Sequence, residues 1–468
     1  MDFKQLRQND DFSNSNAIIV GSGIAGLLSA RVLADHFNSV TIVEVDKLPN
    51  KPDERKGVPQ STQPHILLVK GYRILEEFFP GIGTDLLKAG ALTIDWGQEF
   101  HRFTPKVGWN AIAQHPSDIV SFTCSRPLLE WKIRQRLHSL TNIRFVDNHR
   151  IVALTSNSSK THITGTRLRS IAESNEYELQ ASLVVDASGR RSQAPKWLQD
   201  LGFTPPHETI VNPFLSYATR RYQEPKGFQA SWKVMLISQS PPDITRLGYL
   251  ARIEGGEWIA TLGGYSHDLP PLDDENFLEF ARSLPNTKFY EAIKEAEPVS
   301  PIYAHRATTN RLRHYDKVKI PNGFICLGDA VCALCPVYGQ GITVSALSAV
   351  VLQNWLKGTS NFSSDNSILS SDFQNGLAKS NSLHWSLAVA QDTGFIATKR
   401  FPPLEKRKTG GKISTLLRWY SRQFLLATTV DASLSIVLIQ VINLIKSPLF
   451  FYHPKVVFKV LKRSFSSD

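Results

Sequence analysis

The sequence predicts an α/β fold: a parallel sheet with helices against it, an inserted antiparallel sheet, and a helical C-terminal segment. Three observations predict it. A β-branched run, Ala17–Val20, breaks at Gly21 and is followed by a helical pattern and a second strand, the unit of a parallel sheet. Between about residues 209 and 265 the texture turns strand-like, with a hairpin signal at Glu254-Gly255-Gly256. Beyond residue 399 basic residues alternate with apolar stretches at helical spacing.

The elements follow in order. Leu27–Phe37 reads as a helix and Val40–Val43 as the second strand; Leu67–Phe79 is a helix stopped by Pro80-Gly81. Arg126–Leu140 is a helix with Pro127 suited to its first turn. Arg144–Val146, Ile151–Leu154 and Leu183–Val185 read as strands. Tyr249–Ile253 and Glu257–Leu262 are the arms of the hairpin, and antiparallel strands inside an α/β frame suggest a layer that covers something. Phe324–Leu327 is a buried strand that turns at Gly328 into a helix running towards Leu356. The Ser- and Asn-rich stretch from Gly358 to Asp372 reads as a loop or boundary, and no internal repeat is present.

Composition narrows the class. At roughly 100–200 residues per domain, a chain of 468 residues holds two or three folding units. Apolar residues at 42% and charged ones at 20% exclude long disorder. Four cysteines are too few for a disulfide framework, which points to a reducing, cytoplasmic setting. Met1–Asn16 has no apolar core of the kind a secretory signal needs.

The charge is uneven. From Lys399 onward there are 13 Lys or Arg against 3 acids, so this tail carries +10 of the net +11. Lys406-Arg407-Lys408 and Lys462-Arg463 are its short clusters. The apolar run Ala432–Ile445, 14 residues interrupted by Gln440, is too short to span a bilayer and reads as a buried helix. A solvated basic face or peripheral contact with a membrane surface accounts for the charge. Nucleic acid is not expected, because no zinc-finger spacing, basic zipper or RNP-type aromatic box accompanies it.

Three motifs carry chemistry. Gly21-Ser22-Gly23-Ile24-Ala25-Gly26 follows a strand and opens a helix. Gly21 would make the tight turn, Gly23 would let backbone approach a pyrophosphate, and Gly26 would let helix and strand pack closely. Glu44, at the end of the second strand, is placed to hold a ribose hydroxyl. Alone such a turn is only a glycine-rich turn; strand, helix and Glu44 together point to a dinucleotide. The second motif is Asp186-Ala187-Ser188-Gly189-Arg190, again just after a buried strand. The third is Gly328-Asp329-Ala330, followed by Pro336 and Gly339-Gln340-Gly341. Asp329 would accept hydrogen bonds from a ribityl chain, and amides near Gly339–Gly341 could face the electron-rich edge of a reduced flavin. Cys326, Cys332 and Cys335 fall inside this motif, so no metal site is expected. No G-x-S-x-G nucleophile turn occurs.

With this ordered triple, most of the first 360 residues resemble the single-component FAD-dependent monooxygenases of the aromatic-hydroxylase fold. The stretches Arg55–Gln60, Cys124–Leu129 and Asn310–Asp316 look most like the branch of flavin-dependent epoxidases of polyether polyketide biosynthesis. Cys335 stands where that branch usually has asparagine and Gln63 where it often has histidine, whereas His65 matches.

The resemblance implies a Rossmann-like FAD-binding domain of glutathione-reductase type over residues 14–80, 119–205 and 305–358. It implies a substrate-binding domain with antiparallel sheet over 81–118 and 206–304, and a helical, basic segment over 359–468. Gly21, Gly23, Gly26 and Glu44 would bind the ADP half of FAD, and Val152 would offer backbone contacts near the adenine. Arg126 would reach the ribityl–pyrophosphate region and Arg55 would lie beside the cofactor, surface salt bridges being the plain alternative for both. Asp186 belongs to a segment used around FAD and during NADPH access. Gly328, Asp329, Pro336, Gly339, Gln340 and Gly341 would line the ribityl and ring side. NAD(P)H would reduce the flavin, O2 would add at C4a, and the hydroperoxide would pass its distal oxygen to a small apolar substrate. No catalytic side chain is then required. Aromatics of the covering segment, Phe214, Tyr217, Trp232, Tyr249 and Trp258, would line the acceptor site.

Three rival classes remain. A flavin-dependent halogenase would usually carry a Trp-x-Trp-x-Ile-Pro segment, which is absent. A reductase acting on prenyl or polyene chains would share the fold, and so would a lipid escort that had lost its flavin.

Overall fold

The computed structural model describes residues 16–358, 369–403 and 412–465. Its centre is a five-stranded parallel sheet in the order Phe324–Cys326, Leu183–Asp186, Asn16–Val20, Ser39–Val43 and Ile143–Val146. These runs are almost wholly apolar because the sheet is covered on both faces. Ile18, Ile19, Val40, Ile42, Val184 and Ile325 are all buried. The helices Ile24–Leu33 and Gly341–Lys357 lie against each other as well as the sheet. A three-stranded antiparallel meander, His149–Ser156, Ile163–Ser170 and Glu176–Gln180, leads back into the sheet.

The inserted layer is a seven-stranded sheet. Its central strands are Ser216–Gln223, Glu257–Gly264, Arg246–Ile253 and Val234–Ile237, antiparallel to one another, with Val234–Ile237 parallel to the strand on its other side. Phe100–Thr104 and Gly108–Trp109 extend one edge and Tyr303–His305 the other. Period-two alternation gives this sheet two faces with different partners. The outer face, with Ala218, Tyr222, Leu250, Trp258 and Ala260, is sealed by Phe277, Phe280 and Phe289 from two short helices. The inner face, with Val234, Tyr249, Ala251 and Ile259, turns towards Leu68 and Val69 at the start of the helix Val69–Phe78.

Several boundaries differ from the sequence reading. The first helix begins at Ile24, inside the glycine motif, and ends at Leu33 instead of Phe37. A helix Ser370–Asp392 occupies the end of the expected Ser/Asn-rich loop, whose residues 359–368 lie outside the described ones, as do Met1–Ser15 and Lys406-Arg407-Lys408. The segment beyond residue 359 is not purely helical. Lys399–Phe401 pairs with Glu208–Asn212 in a four-stranded sheet, so the C-terminal part is stitched into the body. The apolar run forms the helix Ala432–Ile442, which has no polar face because it is packed on two sides. Ile436, Ile439 and Ile442 meet the inner face of the covering sheet, while Leu434, Val437 and Leu438 meet the last helices. Among the described residues no single helix is long and apolar enough to cross a membrane.

Candidate active site

The three motifs sit at the carboxyl ends of adjacent parallel strands, and the structure brings them together. Gly21 has φ +96°, and its N–H donates to the Val43 carbonyl across the sheet. A Cβ there would meet the Ala187 carbonyl oxygen at 2.9 Å, so the first turn rests on the second. A Cβ on Gly26 would lie 2.0 Å from the Gly21 carbonyl oxygen, so only glycine admits this helix start. Gly328, at φ +61°, would meet the Ala25 side chain at 2.8 Å, which sets the third turn on the first helix. Gly23 differs: nothing lies within 4 Å of an added Cβ, so the space before it is open. The same holds for Gly341, the first residue of the helix Gly341–Lys357, whose leading N–H groups have no partner within the helix.

Glu44 is buried and already saturated. One carboxylate oxygen accepts from the N–H and hydroxyl of Ser22 (2.8 and 2.7 Å) and the other from the N–H groups of Val45 and Asp46. Burial alone would raise its pKa, but the Arg55 guanidinium at 3.1 Å and these donors hold it below the usual carboxylate range. A ribose hydroxyl would replace the Ser22 hydroxyl in kind. Arg55 is no surface ion: at 4% side-chain exposure it bridges Glu44, Asp46 and Glu130, the last at 2.7 Å. Arg126, also buried, pairs with Glu130 at 3.1 Å and leaves its Nε without a hydrogen-bond partner. Val152 lies where the pairing of His149–Ser156 slips between Ile151 and Ala153, a bulge that disrupts the backbone ladder there. That strand starts beside Glu44, whose carbonyl accepts from the His149 N–H.

Asp186 and Asp329 have different surroundings. Asp186 is fully buried and accepts from Ser188 N–H, Ser188 hydroxyl and Ser192 hydroxyl, so it shapes its own turn and faces no open space. Asp329 is set deep between the turns yet keeps 38% of its side chain accessible, as a group on a cleft floor does. Crowding by protein raises its pKa, opposed by Arg190 and Arg126. Arg190, from the second motif, joins Asp329 at 3.5 Å and donates to the carbonyls of Thr309 and Leu334, tying the second turn to the third. Pro336 opens a single 3-10 turn, Gly339 takes φ +63° against Ile66, and Gln340 holds a buried side-chain oxygen with no partner.

On the far side stands the covering sheet. Gln63 joins it to the cofactor side: its amide oxygen accepts from Thr219, which also contacts Thr261 at 2.7 Å. His65 Nδ1 lies 2.9 Å from the Gln63 carbonyl, an acceptor only, so Nδ1 carries the hydrogen and Nε2 is left as an acceptor. Burial and nearby Arg126 hold this imidazole down to about 3, neutral at physiological pH. His65, Thr123, Cys124, Tyr249 and Ile259 line a narrow pocket of about 10 Å³. Of the five expected aromatics, Tyr249 lines this pocket and Tyr217 lies near His305. Trp232 and Trp258 belong instead to the outer core, and Phe214 stacks on His267 at a turn.

A cluster the sequence did not reveal lies beside the third motif. Asp392, at the end of helix Ser370–Asp392, is fully buried and accepts from Tyr265, Tyr338 and Asn310, all neutral donors. Asn310 also accepts from the Cys335 N–H at 2.7 Å. All four cysteines are buried and free, and among the described residues no three metal-ligating side chains converge.

A family model described as "FAD binding domain" matches residues 14–371, well over half of the chain. The chain belongs to this FAD-binding family. It is a flavoprotein oxidoreductase, and its cofactor is FAD. Protein Rv3254 of Mycobacterium tuberculosis is 31% identical over 388 residues, spanning 81% of this chain and 80% of that protein. Among solved structures, the flavin-dependent brominase Bmp2 superposes with a TM-score of 0.64 at 11% identity, covering 97% of this chain and 100% of that one. PqsL from Pseudomonas aeruginosa, described as a probable FAD-dependent monooxygenase, gives 0.55 at 15% identity over 81% and 94%. At such identities these two share the fold with this flavoprotein.

The residues present fit FAD. The open approach at Gly23 and Gly341 suits a pyrophosphate and a flat ring, and the accessible carboxylate of Asp329 suits a polyol. Arg126 Nε and the Gln340 side-chain oxygen are buried polar atoms still lacking partners, which a bound polar ligand would supply.

Proposed function

We propose that this flavoprotein transfers one oxygen atom from O2 to a small apolar substrate, an alkene or aromatic ring, using NAD(P)H as reductant. Epoxidation is the reaction its branch resemblance favours, and hydroxylation the close variant. One observation carries the reading: an apolar and hydroxyl-bearing sheet face closes on the Gln63–His65 segment, where the described side chains include no activated nucleophile.

In this reading residues 14–80, 119–205 and 305–358 hold the cofactor, and 81–118 with 206–304 cover the substrate. Gly21, Gly23 and Gly26 shape the pyrophosphate turn, and Glu44 with Ser22 takes the ribose. Val152 leaves backbone near the adenine, and Arg55 anchors Glu44. Arg126 turns its open Nε to the ribityl–pyrophosphate region, and Asp329 accepts from the ribityl hydroxyls. Asp186 acts indirectly, by fixing the turn that carries Arg190 against Asp329. Pro336 and Gly339 shape the turn, and Gln340 and Gly341 present backbone donors to the ring edge. The bound flavin supplies hydride acceptance and activation of O2. Tyr249, Ile259 and the neutral His65 exclude water from that compartment, and His65 Nε2 can accept a proton or hydrogen bond there.

Mixing the yellow protein anaerobically with NADPH in the presence of polyenes or phenols tests this. One class accelerates flavin reduction, and on admitting isotopically heavy O2 the product gains one heavy oxygen. Absence of flavin reduction by either nicotinamide would overturn the reading, as would release of all the oxygen as hydrogen peroxide with every acceptor.

A further inference from the structure

We infer that the C-terminal helices form a docking surface for an anionic lipid bilayer. Helix Lys412–Ala427, helix Ala432–Ile442, the short turn Pro448–Tyr452 and helix Pro454–Phe465 pack around Tyr420, Phe424, Leu434, Val456 and Val460. With that inner face satisfied, their outward side still exposes large apolar groups. Leu449 is 77% exposed, Phe458 68%, Val430 63% and Leu416 61%, with Trp419 and Tyr452 also open.

The last helix gives the pattern most directly. Val456 and Val460 point inward, whereas Lys455, Phe458, Lys459 and Lys462, spaced i, i+3, i+4 and i+7, lie on one exposed face. A phenylalanine inside a row of lysines is poorly placed for water and well placed for a charged lipid interface. Between residues 415 and 465 there are seven Lys or Arg and a single acid, Asp431, which is engaged by Ser433 and by Arg463.

Charge decides the occupant. A second copy would bring this basic face against its own like charges around a two-fold axis. Nucleic acid would satisfy the lysines and leave Leu416 and Leu449 in water. Anionic headgroups with acyl chains beneath them satisfy both, with Trp419 and Tyr452 at the boundary that such rings favour. The surface lies on helices that also contact the covering sheet through Ile436 and Ile439, so docking would hold that sheet near the bilayer.

The test uses the full chain and reads vesicle sedimentation, so its outcome is independent of the flavin chemistry. Wild type should pellet with phosphatidylcholine–phosphatidylserine vesicles, stay soluble with phosphatidylcholine alone, and release at high salt. Phe458→Ser with Leu449→Ser, and separately Lys455→Glu, should each weaken partition about tenfold or more. Their melting temperature and flavin content should stay as in wild type. Wild type remaining in the supernatant with anionic vesicles would overturn the proposal, as would variants that pellet equally. A concentration-dependent dimer abolished by Phe458→Ser would assign the face to a second copy and overturn it too.

Discussion

At Gly26 an added methyl would stand 2.0 Å from a backbone oxygen that cannot move without breaking the first turn. Gly26→Ala is therefore expected to lower stability by about 3 kcal/mol, measured by urea unfolding of the apoprotein. The Arg55–Glu130 contact lies at the junction of six charged side chains, with Glu44, Asp46, Arg126 and Arg134. Removing one partner strands a buried charge, here Arg126, so Glu130→Gln should lose about 3–5 kcal/mol. Acid acts at two of these residues in the same direction. The depressed Glu44 carboxyl contributes stability above its unfolded pKa, and that contribution is lost as pH falls through the lower folded value. His65 stays neutral in the fold down to about 3, whereas the unfolded chain takes up that proton below about 6.5. Its contribution to stability therefore declines as the pH drops through that interval. Melting curves of wild type and His65→Gln from about pH 7 to 4 should converge towards the acid end. Parallel curves would count against a buried neutral imidazole.

At the scale of elements, the helix Ser370–Asp392 ends in a carboxylate whose partners come from three other segments: Tyr265, Asn310 and Tyr338. Asp392→Leu leaves the hydroxyls of Tyr265 and Tyr338 without this acceptor at about 1–3 kcal/mol each, and thermal unfolding should register a large loss. Asp392→Asn keeps an acceptor and should lose much less. Burial raises the Asp392 pKa, so the fold holds this proton more tightly than the unfolded chain does. Its contribution to stability therefore falls as pH rises through the carboxylate range, a dependence Asp392→Asn should remove. This cluster was illegible in the sequence because its members are 28 to 127 positions apart and none repeats with a local period. Glu44 was legible because strand, glycine turn and acid belong to one local unit, but its pairing with Arg55 was not. Trp232 and Trp258 show the same limit. Alternation predicts that a strand has two faces, and only the placement of Phe277 and Phe289 decides which face is core. The missed strand Lys399–Phe401 depends likewise on a partner almost two hundred residues earlier.

Across the whole molecule, two sheets face each other over loops that the glycine motifs hold at one end of the parallel strands. The first turn rests on the second, the second is tied by Arg190 to the third, and the third packs back on the first helix. Such a closed ring of turns is what allows residues more than three hundred positions apart to grip one cofactor. Gly23 is the position that separates gripping from folding, since its φ of −70° suits any residue and nothing occupies the space before it. Titration of FAD into the apoproteins of wild type, Gly23→Val and Asp329→Ala, followed by flavin fluorescence, tests the account most directly. The account predicts saturable binding by wild type and affinity weaker by about a hundredfold in each variant, near 3 kcal/mol, with apoprotein melting unchanged in Gly23→Val. FAD binding of wild-type strength in both variants would contradict it.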